Sequence, residues 1–182
     1  SDNGGVASGD HYATSNLPLR GGKGYQWEGG IKEPFFIKVP WLNNGGTKSD
    51  DPVIGTDFYP TLLDLANIAL KNEQHVDGIS LKPILEGENL NIKRPFYWHY
   101  PHYGNQGGEP SSIIQKDGWK LIHYWEDGHE ELYKLPSTES DALNVISKKP
   151  EIANVLRDDL MGWLEKVDAK FPIKDAKYNA LK

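Results

Sequence analysis

The sequence of 182 residues predicts an α/β chain built from two parts of different character. Over residues 91–182, short runs of aromatic and β-branched residues are separated by Asp-Gly turn signals, which is typical of antiparallel strands. An apolar stripe at helical spacing follows over residues 150–168. Residues 1–90 contain a glycine-rich stretch, one strand-like run and one helix-like run, which is too little to build a sheet. We therefore expect a small α+β unit at 91–182 and part of a larger α/β body at 1–90.

The first part contains four predicted segments. Residues 1–34 are rich in glycine and polar residues, so we predict a long loop and not a packed element. Residues 35–41 are mostly apolar and include a proline, which predicts a short strand. Apolar residues at helical spacing predict a helix over 57–69. Residues 76–87 predict a turn and then a short helical piece.

The second part predicts a sheet of about four antiparallel strands. The strands are expected at 94–100, 111–116, 119–125 and 131–135. Pro150 begins the predicted helix, and its apolar stripe comprises Ile152, Val155, Leu156, Leu160, Trp163, Leu164 and Val167. We expect this helix to cover one face of the sheet.

Composition excludes several classes of function. The net charge is −6, so no overall positive field attracts a nucleic acid or an anionic membrane surface. No apolar stretch approaches the ~20 residues of a membrane-spanning helix. The absence of cysteine excludes disulfides, thiolate zinc sites and a cysteine nucleophile within these residues. The sequence begins at Ser1 without an initiator or an apolar signal core, so we expect a processed, trimmed or excerpted chain.

Two short motifs near the start suggest a cation site and an anion site. Asp2 and Asn3 place a carboxylate and an amide oxygen side by side, as Ca²⁺ prefers, although Ca²⁺ takes about six to eight oxygens. Taken alone, the pair is better explained as an Asn-Gly turn. Arg20 and Lys23 lie in a run of glycines that lets an anion approach the backbone closely. Taken alone, this run is better explained as a mobile surface loop.

Taken together and in order, these motifs resemble the C-terminal portion of the sulfatase family, arylsulfatase-like members of the alkaline phosphatase superfamily. The matching segments are Ser-Asp-Asn-Gly-Gly at the start, then residues 19–24, 27–31, 53–63, 77–87, 118–122 and 131–135. The resemblance covers nearly the whole chain. It implies that residues 1–90 are the C-terminal part of an alkaline-phosphatase-like α/β catalytic domain. Residues 91–182 would then be the C-terminal subdomain.

The resemblance also implies a mechanism. Sulfatases attack a sulfate ester with a formylglycine made from Cys or Ser in a C/S-x-P-x-R motif, assisted by one Ca²⁺ ion. Asp2 and Asn3 match two ligands of that ion. Lys23 matches a catalytic lysine that contacts the sulfate and neutralises the leaving oxygen. The expected substrate is a sulfated sugar or an aryl sulfate.

The nucleophile motif itself is missing from the sequence. The segment Asn16-Leu17-Pro18-Leu19-Arg20 has the proline and arginine but begins with Asn instead of Cys or Ser. We therefore expect the nucleophile and the other Ca²⁺ ligands to come from a missing N-terminal half. The isolated chain is expected to be inactive.

A cluster of aromatic and histidine residues over 98–103 suits a sugar face or an anionic group. We favour His102 over His99 for substrate binding, because His102 follows Pro101 at the predicted strand end. The alternative is that these rings only pack under the C-terminal helix. Asp10 and His11 could also reach the pocket or lie in a solvated loop.

Two other functions stay open at this point. A phosphodiesterase or phosphonate hydrolase of the same superfamily would need further Asp and His metal ligands. A non-catalytic carbohydrate-binding module would account for the aromatic residues of 91–182 but not for the glycine and lysine pattern of 1–34. The resemblance favours a periplasmic or secreted location.

Overall fold

The computed structural model describes residues 1–7, 13–136, 144–173 and 175. They divide into two compact units. The first comprises Ser1, residues 3–34 and the part from 94 onward, and the second comprises Asp2 with residues 35–93. The predicted assignment of 1–90 and 91–182 to two domains of a larger protein stays a prediction, because these units reflect contacts within this chain alone.

The first unit contains an antiparallel sheet of four strands, as predicted. The strands are β1 (Phe96–Tyr100), β2 (Ser111–Lys116), β3 (Trp119–Tyr124) and β4 (Glu130–Lys134), and they are neighbours in chain order. Leu121 lies opposite Ile114 on one side and Leu132 on the other. Asp117 and Gly118 both have positive φ, 50° and 74°, in the predicted two-residue turn between β2 and β3.

A C-terminal helix covers one face of this sheet, which confirms the predicted architecture. After a 3-10 turn (Ile146–Lys148), α4 extends over Pro150–Lys166. The core between them consists of Ile114, Leu121, Leu132, Ala153, Leu156, Leu160 and Leu164. Tyr97 also stacks on Trp163, with ring centroids 4.5 Å apart. The buried stripe is narrower than predicted, because Val155 and Val167 are exposed while Ala153 is buried.

The opposite face of the sheet is covered by the N-terminal segment. A short helix, α1 (Glu28–Ile31), lies in this segment. Trp27 and Ile31 pack with Trp98 against the buried residues Ile113, Ile122, Tyr124 and Tyr133. The prediction of an unpacked loop over 1–34 is therefore wrong for this segment. Its residues Trp27 and Ile31 are four positions apart and reach the same surface.

The second unit is built around a buried carboxylate. It contains a 3-10 turn (Gly55–Asp57) and the helices α2 (Phe58–Leu65) and α3 (Lys82–Leu85). Asp57 is fully buried and accepts hydrogen bonds from the backbone N–H of Ile54 (2.9 Å) and of Ile79 (3.0 Å). The helices predicted within 57–69 and 76–87 are present. The first is shorter than predicted, and Asn67 follows it with φ 55°, which a right-handed helix does not allow.

The strand predicted over 35–41 is wrong. These residues form no strand, and Phe36 and Trp41 are 90% and 64% exposed. The physical reason is the absence of a partner, because a strand needs a neighbour to satisfy its N–H and C=O groups. Within 35–93 no segment pairs with this run.

Candidate functional site

The segment that contains Asn3 is hydrogen-bonded to the segment that contains Lys23. The backbone N–H of Lys23 donates to the Gly5 carbonyl at 2.9 Å, and that of Gly4 donates to the Gly30 carbonyl at 3.0 Å. The Asn16 amide also donates to the Gly5 carbonyl, at 2.9 Å. The fold therefore brings together two of the motifs singled out in the sequence.

Glycine at position 22 makes this close approach possible. A Cβ atom there would lie 2.6 Å from both the Gly5 carbonyl oxygen and the Ala7 Cβ. Real side chains do not tolerate such distances, so the backbone approach requires glycine. The next residue, Lys23, has an exposed side chain. Its backbone is thus fixed while its ammonium is accessible to a ligand.

The loop that follows His102 packs against the Lys23 loop. A Cβ at Gly108 would lie 2.0 Å from the Gly24 carbonyl oxygen, and the Gln26 amide donates to the Glu109 carbonyl at 2.7 Å. His102 itself is exposed in a bend after β1, with its ring edge-on to Tyr100 at 5.5 Å. The loops are adjacent, but no contact between His102 and the Lys23 side chain is seen in the described residues. The substrate-binding role of His102 stays a prediction.

His99 has a different environment. Its Nδ1 lies 2.7 Å from the Ser112 hydroxyl, and its Nε2 lies 2.8 Å from the Lys170 carbonyl. The carbonyl can only accept, so Nε2 carries a proton and donates to it. Nε2 therefore holds the segment that follows α4 against β1, and Nδ1 connects β1 to β2, so His99 has a structural role.

Asp2 and Asn3 satisfy only part of what a Ca²⁺ site requires. Their side-chain oxygens are the kind of ligand that Ca²⁺ prefers. Asp2 is exposed and Asn3 is half-buried. Among the described residues, no group of three or more His, Cys, Asp or Glu side chains could hold a metal ion. The pair fits the ion as two ligands of a larger set and does not form a complete site.

The Lys23 loop is held to the sheet by a carboxylate that the sequence did not single out. The indole N–H of Trp27 donates to Glu131 Oε2 at 2.8 Å, and the Tyr124 hydroxyl donates to the same oxygen at 3.0 Å. Arg20 Nη1 lies 3.9 Å from Glu131 Oε1 and donates to the Tyr133 hydroxyl at 2.9 Å. Burial, reinforced by the Glu131 charge, raises the pKa of Tyr124, so its hydroxyl stays protonated as a donor.

A second connection joins α1 to β3. Lys120 Nζ lies 3.0 Å from Glu28 Oε1, and the two side chains are 0% and 7% exposed. Period-two spacing indicates only that Lys120 shares a strand face with Ile122 and Tyr124, as Glu131 does with Tyr133. The sequence does not say that the N-terminal segment covers that face.

An open groove of about 680 Å³ lies beside these residues, lined by Asn16, Leu17, Arg20, Tyr25 and Trp27 among others. None of Asn3, Lys23 and His102 lines it. In the Asn16–Arg20 segment, which partly matches the nucleophile motif, the Asn16 amide donates hydrogen bonds to the backbone carbonyls of Gly5 and Gly21. Asp10 and His11 lie outside the described residues. In the described part of the chain, no helix is long and apolar enough to cross a membrane.

Comparison with known proteins identifies the family. Residues 22–170 match the family model "N-sulphoglucosamine sulphohydrolase, C-terminal". A sulfatase of Formosa agariphila is 31% identical over 184 aligned residues, which cover 93% of this chain and 32% of that protein. An N-acetylglucosamine-6-O-sulfatase of Bacteroides thetaiotaomicron is 28% identical over 158 residues, which cover 84% of this chain and 28% of that protein.

The fold agrees with these matches. The crystal structure of Ps i-CgsB in complex with k-i-k-neocarrahexaose superposes with a TM-score of 0.70 and 25% identity, over 88% of this chain and 34% of that one. The chain thus spans about a third of the length of these relatives. The predicted alkaline-phosphatase-like fold class is confirmed. The chain belongs to the N-sulphoglucosamine sulphohydrolase C-terminal family and has the fold of the C-terminal portion of a sulfatase.

Proposed function

We propose that this chain is the part of a sulfatase that supplies Lys23 to the hydrolysis of sulfate esters, with a sulfated sugar as the favoured substrate. The observation that carries the proposal is the hydrogen bond between the Lys23 N–H and the Gly5 carbonyl, which joins the lysine segment to the Asp2-Asn3 segment. The family match over residues 22–170 supports it. Names of relatives such as N-acetylglucosamine-6-O-sulfatase support the choice of substrate class.

In the proposed reaction the exposed ammonium of Lys23 faces the ester oxygen that leaves. As the S–O bond breaks, negative charge grows on that oxygen, and a fixed cation stabilises the charge more in the transition state than in the bound ester. Over the whole cycle, water supplies the proton with which the alcohol leaves, and the water oxygen replaces the alcohol oxygen on sulfur. Lys23 is accessible for this role because its backbone, and not its side chain, makes the loop contact.

The remaining groups of the proposed site would come partly from this chain and partly from the N-terminal half. Asp2 and Asn3 would hold one Ca²⁺ together with further ligands, and the ion would act as a Lewis acid on the sulfate oxygens. A formylglycine in the N-terminal half would be the nucleophile. His102 would contact the sugar part of the substrate from the loop that lies beside the Lys23 loop.

The second unit supports a physical partnership with that N-terminal half. Phe36, Trp41, Leu62 and Val76 are 90%, 64%, 60% and 80% exposed. Full burial of a large apolar side chain is favourable by about 1.5–3 kcal/mol. We propose that the N-terminal half covers these exposed apolar side chains.

The test is a substrate panel with the full-length protein. Sulfated monosaccharides and an aryl sulfate are assayed beside a phosphate diester and a phosphonate monoester, and tryptic peptides are searched for formylglycine. Hydrolysis of the sulfate esters and a formylglycine peptide are expected. Turnover of the phosphorus esters alone would contradict the proposal and favour the phosphodiesterase alternative. Glycan binding without any hydrolysis would favour a binding module. The isolated 182-residue chain is expected to hydrolyse none of them. We also propose a periplasmic or secreted location, which fractionation of the source cells would test.

A further inference from the structure

The face of β4 that points away from α4 presents two polar side chains to the N-terminal segment. Glu131 and Tyr133 are two residues apart, so they lie on the same face of the strand. That face packs against Trp27 and Ile31, whereas Leu132 points to the helix. The Glu131 side chain therefore lies on the sheet face that the segment containing Lys23 covers.

Glu131 contacts the Lys23 loop on both sides of the lysine. Trp27, four residues after Lys23, donates its indole N–H to Glu131 Oε2 at 2.8 Å. Arg20, three residues before Lys23, places Nη1 3.9 Å from Glu131 Oε1. The Arg20 guanidinium also lies 3.5 Å over the Trp27 ring, which closes the loop on itself. One carboxylate thus holds the two ends of the turn that presents Lys23.

The charge of Glu131, and not only its shape, is required for this arrangement. One of its oxygens accepts from both Trp27 and Tyr124, and the other faces the Arg20 cation. A glutamine at this position has one oxygen and one NH₂ group. In either orientation its NH₂ would face hydrogen-bond donors, Arg20 on one side or Trp27 and Tyr124 on the other. Glutamine would therefore loosen one end of the turn while it fills the same space.

We propose that Glu131 is a positioning residue for sulfate-ester cleavage, which acts by fixing the turn that aims Lys23 at the leaving oxygen. The proposal rests on the proposed role of Lys23. A displacement of about 1 Å of a catalytic group can cost on the order of 100-fold in rate. The loss of rate on changing Glu131 must be largest for the esters whose cleavage depends most on Lys23. These are the esters whose alcohol is a poor leaving group.

The chain provides a matched control in the neighbouring residue. Glu130 points to the other side of β4, where it accepts hydrogen bonds from Arg157 and lies 2.9 Å from His123 Nδ1. Both glutamates are thus largely buried carboxylates paired with an arginine. Glu130→Gln removes the charge of a buried carboxylate that pairs more closely with its arginine, and Glu130 has no contact with the Lys23 loop in the described residues.

The experiment compares full-length Glu131→Gln, Glu130→Gln, Lys23→Ala and the double variant Glu131→Gln/Lys23→Ala on aryl sulfates whose phenols differ in pKa. For Glu131→Gln we expect kcat to fall about 10- to 100-fold on the poorest leaving group and much less on the best, with KM nearly unchanged. Lys23→Ala should steepen the leaving-group dependence further. The double variant should be no slower than Lys23→Ala, because Glu131 acts only through that lysine.

Several results would overturn the proposal. One is a Glu131→Gln variant that keeps the wild-type dependence of rate on the leaving group. A second is an equal loss of rate on all esters, of the same size in Glu131→Gln and Glu130→Gln. A third is a double variant in which the full effect of Glu131→Gln adds to that of Lys23→Ala. If Lys23→Ala itself has no effect, the proposed function of Lys23 fails, and the positioning role falls with it. If Glu131→Gln does not fold, Trp27→Phe replaces it. That variant keeps a ring under Arg20 but loses the N–H donor to Glu131, so it should steepen the dependence in the same direction.

Discussion

The ammonium of Lys120 lies 3.0 Å from the carboxylate of Glu28, and both side chains are buried between β3 and α1. Lysine and glutamate are almost never fully buried without a partner. This ion pair connects the strand to the segment that follows Lys23, and it does so on the same sheet face as the Glu131 contacts. It therefore contributes to the fixed backbone on which the proposed site depends.

Replacement of Lys120 should strongly destabilise the folded state. Lys120→Met leaves the Glu28 carboxylate buried without its Lys120 partner, which typically costs about 3–5 kcal/mol. Lys116→Met is the control, because its ion pair with Asp159 is shorter, 2.7 Å, but one third exposed. Exposed pairs contribute about 0–1 kcal/mol. Urea unfolding of the full-length variants measures both effects, and equal losses for the two lysines would contradict this assignment.

Acid should weaken the contact between β4 and α4. Burial alone would raise the pKa of Glu130, but hydrogen bonds from Arg157 and His123 outweigh it and hold that pKa below its ordinary value of 4.5. A carboxyl with a lowered pKa in the folded state stabilises the fold above pH 4.5, and this contribution is lost as the pH falls through the lowered pKa. The melting-temperature difference between wild type and Glu130→Gln should therefore shrink as the pH drops below about 4.5.

The matched variant for this pH effect is Glu165→Gln, since Glu165 is exposed on α4. Its melting temperature should stay close to that of the wild type at each pH. A Glu130→Gln difference that remains constant from pH 7 to pH 3 would show that the carboxylate charge does not stabilise this contact.

Calcium dependence tests the Asp2-Asn3 motif. We expect a chelator to abolish sulfate-ester hydrolysis by the full-length protein, and added Ca²⁺ to restore it. Asp2→Ala should raise the Ca²⁺ concentration for half-maximal activity at least about tenfold, since even groups that only support a ligand have effects of that size. Asp50→Ala changes another exposed aspartate and should leave the Ca²⁺ concentration for half-maximal activity unchanged. The same Ca²⁺ requirement in Asp2→Ala and wild type would exclude Asp2 as a ligand.

The elements that could be predicted from sequence are those with a local signal. The β2–β3 turn follows from Asp117 and Gly118, which tolerate positive φ. The helix α4 follows from its period of apolar residues, with Leu156, Leu160 and Leu164 buried as expected. Both depend on neighbours in the chain, so no knowledge of the tertiary structure is needed.

The elements that could not be predicted depend on a partner distant in the chain. The run at 35–41 has the apolar pattern of a strand, yet Phe36 is exposed because nothing within its unit pairs with the run. Lys120 and Glu131 are charged residues in strands, which normally face water. Only the packing of Trp27 and Glu28 on that sheet face explains their burial. The motif residues Asn3 and Lys23 were identified by resemblance, and their segments are adjacent in the fold, but their chemistry remains a proposal.

The most direct test of the proposed function is the rate of sulfate-ester hydrolysis by full-length Lys23→Ala. Lys32→Ala is the control, because Lys32 is also exposed and lies in the same N-terminal segment. Removal of a group that stabilises transition-state charge typically costs about 100- to 1000-fold in kcat. We expect a loss of that size for Lys23→Ala on an ester with a poor leaving group, and near-normal turnover for Lys32→Ala. Wild-type kcat in Lys23→Ala, at every leaving group, would contradict the account.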